Sequence, residues 1–153
     1  MASPFTLRPA TPSDIPAIFD IHKYYTLNTV ITFKIAVTPE ENHLEILKSV
    51  QSQHLPYIVA TVPDTLMDVS KPSQRTVGYT YCTGFRGGKV GYCHTVELSL
   101  FCHPEYRHMG VGTQLLGKML EVLSKPEQNR IFGRRCRKRR GSESEAGYRV
   151  HGD

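Results

Sequence analysis

Residues 96–124, VELSLFCHPEYRHMGVGTQLLGKMLEVLS, constrain the fold more than any other stretch of this chain. Val96, Leu98, Leu100 and Cys102 recur at every second position, the pattern of a strand with one buried face. Pro104 lacks a backbone donor and ends that strand. Behind Arg107-His108-Met109-Gly110-Val111-Gly112 comes an amphipathic run. Val111, Leu115, Met119 and Val122 share one face, with Leu116, Leu120 and Leu123 beside them. The spacing predicts strand, glycine-rich turn and helix. The first N–H groups of a helix have no intrahelical partner, and its dipole puts roughly +0.5 charge there. Glycines at 110 and 112 let an anion approach the backbone with no Cβ in the way. Arg107 and His108 add side-chain donors, so the chemistry that fits is a phosphate or pyrophosphate.

The kind of phosphate ligand can be narrowed. A dinucleotide fingerprint needs a third glycine where Leu115 stands, and needs its turn after the first strand rather than a late one. A P-loop needs Gly-Lys-Ser/Thr, and none follows. Arg107-x-x-Gly110-x-Gly112 resembles the acetyl-CoA signature of the GNAT N-acetyltransferases, Arg/Gln-x-x-Gly-x-Gly/Ala. An ordinary glycine-rich turn is the plain alternative. The strand before it, the helix after it and the carboxylate of Glu97 upstream weigh against that alternative.

From the N-terminus, Phe5-Thr6-Leu7-Arg8 alternates as a short strand closed by Pro9. Thr11, Pro12 and Asp14 supply a cap, a preset φ and an acid for a helix that runs to about Tyr25. His22 lies on its apolar face and reads as a core-edge histidine. The segment 24–35, YYTLNTVITFKI, is richer in β-branched and aromatic residues than a plain linker. Thr38-Pro39-Glu40-Glu41 has the pattern of a capping box, and Leu44, Leu47 and Val50 carry a second helix to about Gln53. Strands are expected over 57–62, 76–85 and 90–102, with Arg86-Gly87-Gly88-Lys89 as a hairpin turn.

At 153 residues with 39% hydrophobic content, one modest core is expected. No apolar run approaches the ~18 residues of a membrane span, and the N-terminus is unlike a signal peptide. Cys82, Cys93, Cys102 and Cys136 show no metal-ligand spacing and read as reduced thiols, which suggests a cytoplasmic protein without a metal. The net charge of +5 sits mostly at the end: residues 1–125 carry +1 and residues 126–153 carry +4. The body therefore gives no reason to expect nucleic acid.

The order β-α-α-β-β-β-α matches the front two-thirds of a GNAT domain. Leu7-Arg8-Pro9-Ala10-Thr11, the segment 25–33 and Glu97 through Gly112 are similar to the phosphinothricin acetyltransferase branch. The resemblance covers residues 5–125. It implies an α/β (α+β) acyl-CoA N-acyltransferase fold with a mixed, mostly antiparallel sheet and flanking helices. It also implies acetyl-CoA as co-substrate, a small amino-acid-like amine as the favoured acceptor with diamines and peptide N-termini open, and Glu97 as general base, while a solvated strand glutamate is the plain reading of that residue. By the same resemblance the backbones of Leu100, Phe101 and Cys102 line the pantetheine arm on a bulged strand. Arg107, His108, Met109, Gly110, Val111, Gly112 and Thr113 hold the pyrophosphate. Tyr25, Asn28, Thr29 and Phe33 form an acceptor wall, though packing accounts equally well for Tyr25 and Phe33. An acyl-Cys102 intermediate is disfavoured, since no base is set beside it and the family transfers directly. A homodimer is compatible with all of this.

Past residue 125 the chain departs from that pattern. Residues 130–140 hold seven Lys/Arg and no acid, then Gly-Ser-Glu-Ser-Glu-Ala-Gly follows, too polar to bury. Two units are therefore expected: residues 1–125, a domain incomplete at its C-terminal side, and residues 126–153, a basic tail. A disordered basic arm, a shortened variant and a sequence read in a shifted frame or through an intron all remain open for the tail. The abrupt change of composition favours the last. Without the later strands the chain is expected to bind acetyl-CoA poorly, which leaves a non-catalytic fragment as the alternative to an active acetyltransferase.

Overall fold

The structure is a computed structural model that describes residues 4–63, 74–85, 92 and 94–125. It comprises β1 (Thr6–Pro9), α1 (Ile15–Asn28), α2 (Glu40–Ser52), β2 (Tyr57–Pro63), β3 (Gln74–Gly84), β4 (Val96–Cys102) and α3 (Val111–Leu123), in the order the sequence leads one to expect. The four strands form one sheet in the order β1-β2-β3-β4, and every described pairing is antiparallel.

Alternation along the strands divides the core into two layers. Tyr57, Val59, Tyr79 and Phe101 pack with Ile18, Ile21 and Tyr25 of α1 and Leu47 and Val50 of α2. On the other face Ile58, Ala60, Cys82, Leu100 and Cys102 pack with Val111, Leu115 and Met119 of α3. Gly78 makes the second layer possible. A Cβ there would stand 2.9 Å from Val111 Cγ1 and 3.1 Å from Leu115 Cδ1, so the bare position lets α3 lie directly on β3.

A buried carboxylate ties the start of α1 to the sheet. Asp14 is 4% exposed. Its Oδ2 accepts from Arg8 Nη1 at 2.7 Å and its Oδ1 from Arg8 Nη2 at 2.7 Å. The N–H and hydroxyl of Thr11 and the hydroxyl of Thr76 each donate to it at 2.8 Å. Burial alone would raise its pKa; these donors outweigh burial and hold it down to about 2.

Several local expectations are corrected. The pattern at Thr38 does not make a capping box: Pro39 is the N-cap of α2, no side chain caps it, and Thr38 Oγ1 instead accepts from Lys34 Nζ at 3.5 Å. Helix α1 continues past Tyr25 to Asn28, and in that last turn Thr26 Oγ1 and Asn28 Nδ2 donate back to the carbonyls of His22 and Tyr24. Strand β4 begins at Val96 rather than 90, since Thr95 N–H closes a turn onto Tyr92 O at 2.9 Å. The bulge expected on the strand before the glycine turn is absent from the β3–β4 ladder, whose register is unbroken from Gly84↔Val96 to Gly78↔Cys102. The register shift lies between Ala60 and Thr61 on β2 instead. The expected hairpin turn at 86–89, the basic tail 126–153 and the cysteines at 93 and 136 lie outside the described residues.

Candidate functional site

The turn after β4 folds as its glycines require. His108 has φ 62° and Gly110 φ 84°, so the chain passes twice through the left-handed region before α3 starts. Gly110 is the N-cap of α3 and has no side chain with which to cap it. The N–H groups of Val111, Gly112 and Thr113 therefore stand at a positive helix end without a capping acceptor. Arg107, His108 and Met109 are exposed around that end, and Arg107 Nε donates to Pro104 O at 3.1 Å. Val111 is 1% exposed and anchors the turn to the core.

The ladder shows which backbone groups of β4 are available. His103 N–H donates to Val77 O at 2.8 Å, and Phe85 N–H donates to Thr95 O at 3.1 Å. Both bonds join residues opposite one another in the β3–β4 register, so residues 95, 97, 99, 101 and 103 turn their N–H and C=O groups toward β3. The groups of Val96, Leu98, Leu100 and Cys102 point out of the sheet, away from β3. Leu100 and Cys102 thus present backbone to a ligand on that edge, whereas the backbone of Phe101 faces Tyr79 and its ring packs in the α1–α2 layer. Cys102 O already accepts from Tyr25 Oη at 2.8 Å, which ties α1 to the end of β4.

Glu97 stands opposite Thr83 on the face shared by Phe101 and Tyr79. It is exposed, with no hydrogen bond or ion pair among the described residues. Beside its cross-strand neighbour Thr83 lies a cavity of about 340 Å³ between α2 and the end of β3, lined by Lys34, Asn42 and Glu45 among others. None of these three stands out in the sequence, because a Lys, an Asn and a Glu on a loop and a solvent-facing helix look like ordinary surface.

The acceptor-wall residues separate. Tyr25 is 8% exposed and belongs to the core. Thr29 Oγ1 donates to Tyr25 O at 2.6 Å and stops α1, and Asn28 Nδ2 is bonded to Tyr24 O. Phe33 is 96% exposed with φ 52°, in a loop where Val30, Ile31 and Ile35 are exposed as well.

His22 has a partner that the sequence does not advertise. Its ring lies edge-on to His43 with centroids 4.9 Å apart and meets Phe101 at 5.5 Å. Both histidines are buried, and His43 Nε2 has no hydrogen-bond partner. Burial first, then His43 and Lys34, push the pKa of His22 from 6.5 down to about 4, and burial and Lys34 lower His43 too. The buried pair has a signature in stability. Its contribution to stability is complete above pH 6.5 and is lost as pH falls from 6.5 toward about 4. The urea midpoint should decline over that window, and His22→Phe should flatten the decline.

Cys102 is half-buried, and burial raises its thiol pKa; Cys82 is raised to about 11 for the same reason. Among the described residues no group of three or more His, Cys, Asp or Glu stands together as a metal site, and no helix is long and apolar enough to cross a membrane.

A profile described as the acetyltransferase (GNAT) family matches residues 34–136. A curated "N-acetyltransferase" of Streptomyces griseus is 26% identical over 131 residues, covering 82% of this chain and 62% of the relative. A phosphinothricin acetyltransferase from Sinorhizobium meliloti, solved in complex with acetyl-CoA, superposes with a TM-score of 0.65 at 28% identity, over 78% of this chain and 59% of that one. A ribosomal-protein-alanine N-acetyltransferase from Brucella melitensis superposes with a TM-score of 0.65 at 26% identity, over 76% of this chain and 65% of that one. The chain spans less than two thirds of the length of each of these three proteins.

Proposed function

Because this chain belongs to the acetyltransferase (GNAT) family, we propose that its fold moves an acetyl group from acetyl-CoA to the amine of a small, amino-acid-like acceptor, with Glu97 as general base. One observation carries the reading: an uncapped helix end, an outward-facing strand edge and an unpaired carboxylate meet around β4. The residues fit acetyl-CoA. The N–H groups of Val111, Gly112 and Thr113, with Arg107 and His108, would hold the pyrophosphate, and Met109 and Gly110 shape the turn. The outward groups of Leu98, Leu100 and Cys102 would pair with the pantetheine arm, and an outward N–H near the carbonyl would steady charge developing there. The bound thioester supplies the acetyl group.

An acceptor like lysine, pKa ~10.4, is mostly protonated at neutral pH, and removing its proton costs about 4–5 kcal/mol. An unpaired carboxylate on the strand can take that proton directly or through water. A half-buried Cys102 thiol with a raised pKa is a poor nucleophile, which supports direct transfer. The cavity at Lys34, Asn42 and Glu45 is the acceptor pocket in this reading, with the Lys34 ammonium meeting a carboxylate of the acceptor. Lys34→Ala should then raise KM for an anionic acceptor roughly tenfold or more while kcat holds, and leave an uncharged amine unaffected. A scan of amines by thiol release tests the reaction and names the acceptor class. No released thiol with any amine would overturn it.

A second reading, a non-catalytic binding fragment, is favoured by the outer edge of β4, which has no neighbouring strand among the described residues. Calorimetric titration separates the two: micromolar binding of acetyl-CoA supports the enzyme, and its absence supports the fragment.

A further inference from the structure

We propose that the acceptor is a basic diamino acid of the lysine or ornithine type, acetylated on its side-chain nitrogen while Lys34 holds its carboxylate and Glu45 its α-ammonium. The transfer rests on the acetyltransferase reading above; the binding of the diamino acid does not.

Asn42, Glu45 and Ser49 are spaced by three and four residues and so share one face of α2. That face, Lys34 and Thr83 line the cavity of about 340 Å³. Lys34 Nζ makes one long contact, to Thr38 Oγ1 at 3.5 Å, and neither Lys34 nor Glu45 has an ion pair among the described residues. Two opposite charges line one cavity without joining each other, which leaves both to a ligand. Their placement gives the cavity two ends. The charge of Lys34 is felt at His22 and His43, between the helices, so its ammonium lies on the helix side. Thr83 lies near the end of β3, on the sheet side, and Glu97 stands opposite it on β4. Residues paired in this way across an antiparallel ladder are about 5.5 Å apart at Cα and project to the same face.

The charges then count out in favour of one ligand class. The cavity and its strand neighbour offer one cation, Lys34, and two carboxylates, Glu45 and Glu97. A diamino acid at neutral pH carries one carboxylate and two ammonium groups, so every charge has a counterpart. An amino acid with an apolar side chain leaves one carboxylate unmatched, and a plain diamine leaves Lys34 unmatched. The same arrangement chooses the nitrogen that reacts. A carboxylate beside an amine favours its protonated form, so the α-ammonium at Glu45, away from β4, keeps its proton and cannot attack. At the sheet end Glu97 takes one proton from the side-chain ammonium and later yields it to water. The freed nitrogen bonds to the acetyl carbon as the C–S bond breaks, and its second proton goes to the departing thiolate.

Thiol release by the full chain, with acetyl-CoA and either lysine or ornithine, tests the assignment. For the faster of the two, kcat/KM should exceed that of each analogue lacking the carboxylate, the α-amine or the side-chain amine about tenfold or more. Mass spectrometry should place the acetyl group on the side-chain nitrogen. Glu45→Gln should raise KM for the diamino acid about tenfold with kcat held, and leave the analogue without an α-amine unchanged. Acetylation of the α-nitrogen, or a KM indifferent to Glu45→Gln, overturns the assignment even though the chain is then an acetyltransferase. If no amine releases thiol, the transfer fails together with the reading above, and calorimetric titration of lysine and ornithine decides the site. Binding weakened about tenfold by both Lys34→Met and Glu45→Gln upholds it; no binding, or binding indifferent to either substitution, overturns it.

Discussion

Glu97→Gln is expected to lower the rate of amine acetylation by about 10²–10⁴-fold, the usual contribution of a positioned general base. Acetyl-CoA affinity should hardly change. Glutamine keeps the shape and polarity of the side chain but cannot take a proton at neutral pH. The position is exposed and makes no bond that folding depends on, so stability should stay within about 0.5 kcal/mol of wild type. Loss of kcat together with an unchanged acetyl-CoA Kd is what removal of a transition-state interaction produces. Equal losses of both would instead make Glu97 part of the cofactor site. A retained rate would assign the proton to another group.

The largest expected effect on stability lies at Asp14. Asp14→Ala should destabilise the fold by about 3 kcal/mol, the low end of the range for breaking a buried ion pair, because the Arg8 side chain is 31% exposed and can turn to water. Domains of this size hold ~5–15 kcal/mol in all, so part of the population could unfold at moderate temperature. Four groups lose their acceptor at once: the Arg8 guanidinium, the Thr11 N–H, the Thr11 hydroxyl and the buried Thr76 hydroxyl. Thr76→Val removes one donor and leaves the carboxylate with the rest, so it should cost clearly less. The pH dependence has a definite sign. Asp14 titrates near 3.8 when unfolded and about 2 when folded, so its contribution is complete above pH 3.8 and is lost as pH falls from there toward 2. Urea melts of wild type and Asp14→Ala should therefore converge in acid. Curves that stay parallel down to pH 2 would contradict the assignment.

How much of this could be read in the sequence depended on how local the cause was. The strand, turn and helix around Gly110 follow from alternation, glycine and helical spacing between residues 96 and 124, and the structure has them. The Thr38 pattern was equally local and misled, because Pro39 with ψ 153° takes the cap position itself and leaves the Thr38 hydroxyl to Lys34. Asp14 looked like a first-turn acid. Arg8 and Thr11 are near it in sequence, but its tie to β3 through Thr76 spans sixty-two positions, and no short window contains that contact. His43 was hidden for a similar reason: its neighbour His22 is on another helix, and only the packing of α1 on α2 brings the rings together. The face of Phe101 could be told from its parity, but the direction of its backbone groups required the β3 register.

The aromatic row in the α1–α2 layer gives the molecule an optical gauge of its own. The sequence has eight tyrosines and no tryptophan, so near-ultraviolet signals come from tyrosine without a stronger chromophore masking them. Tyr57 lies over Tyr81 with centroids 5.0 Å apart, and Tyr79 lies over Phe101 at 5.3 Å. Rings held at fixed angles produce dichroism that freely rotating rings do not, so the near-ultraviolet band should report whether α1 and α2 are seated on the sheet. The same rings respond to alkali. Burial raises the phenol pKa values of Tyr57 and Tyr79, and the Tyr57 hydroxyl has no partner in the core. An absorbance titration should therefore show a late rise in strong alkali, when the layer comes apart and its buried phenols, Tyr57 and Tyr79 among them, ionise.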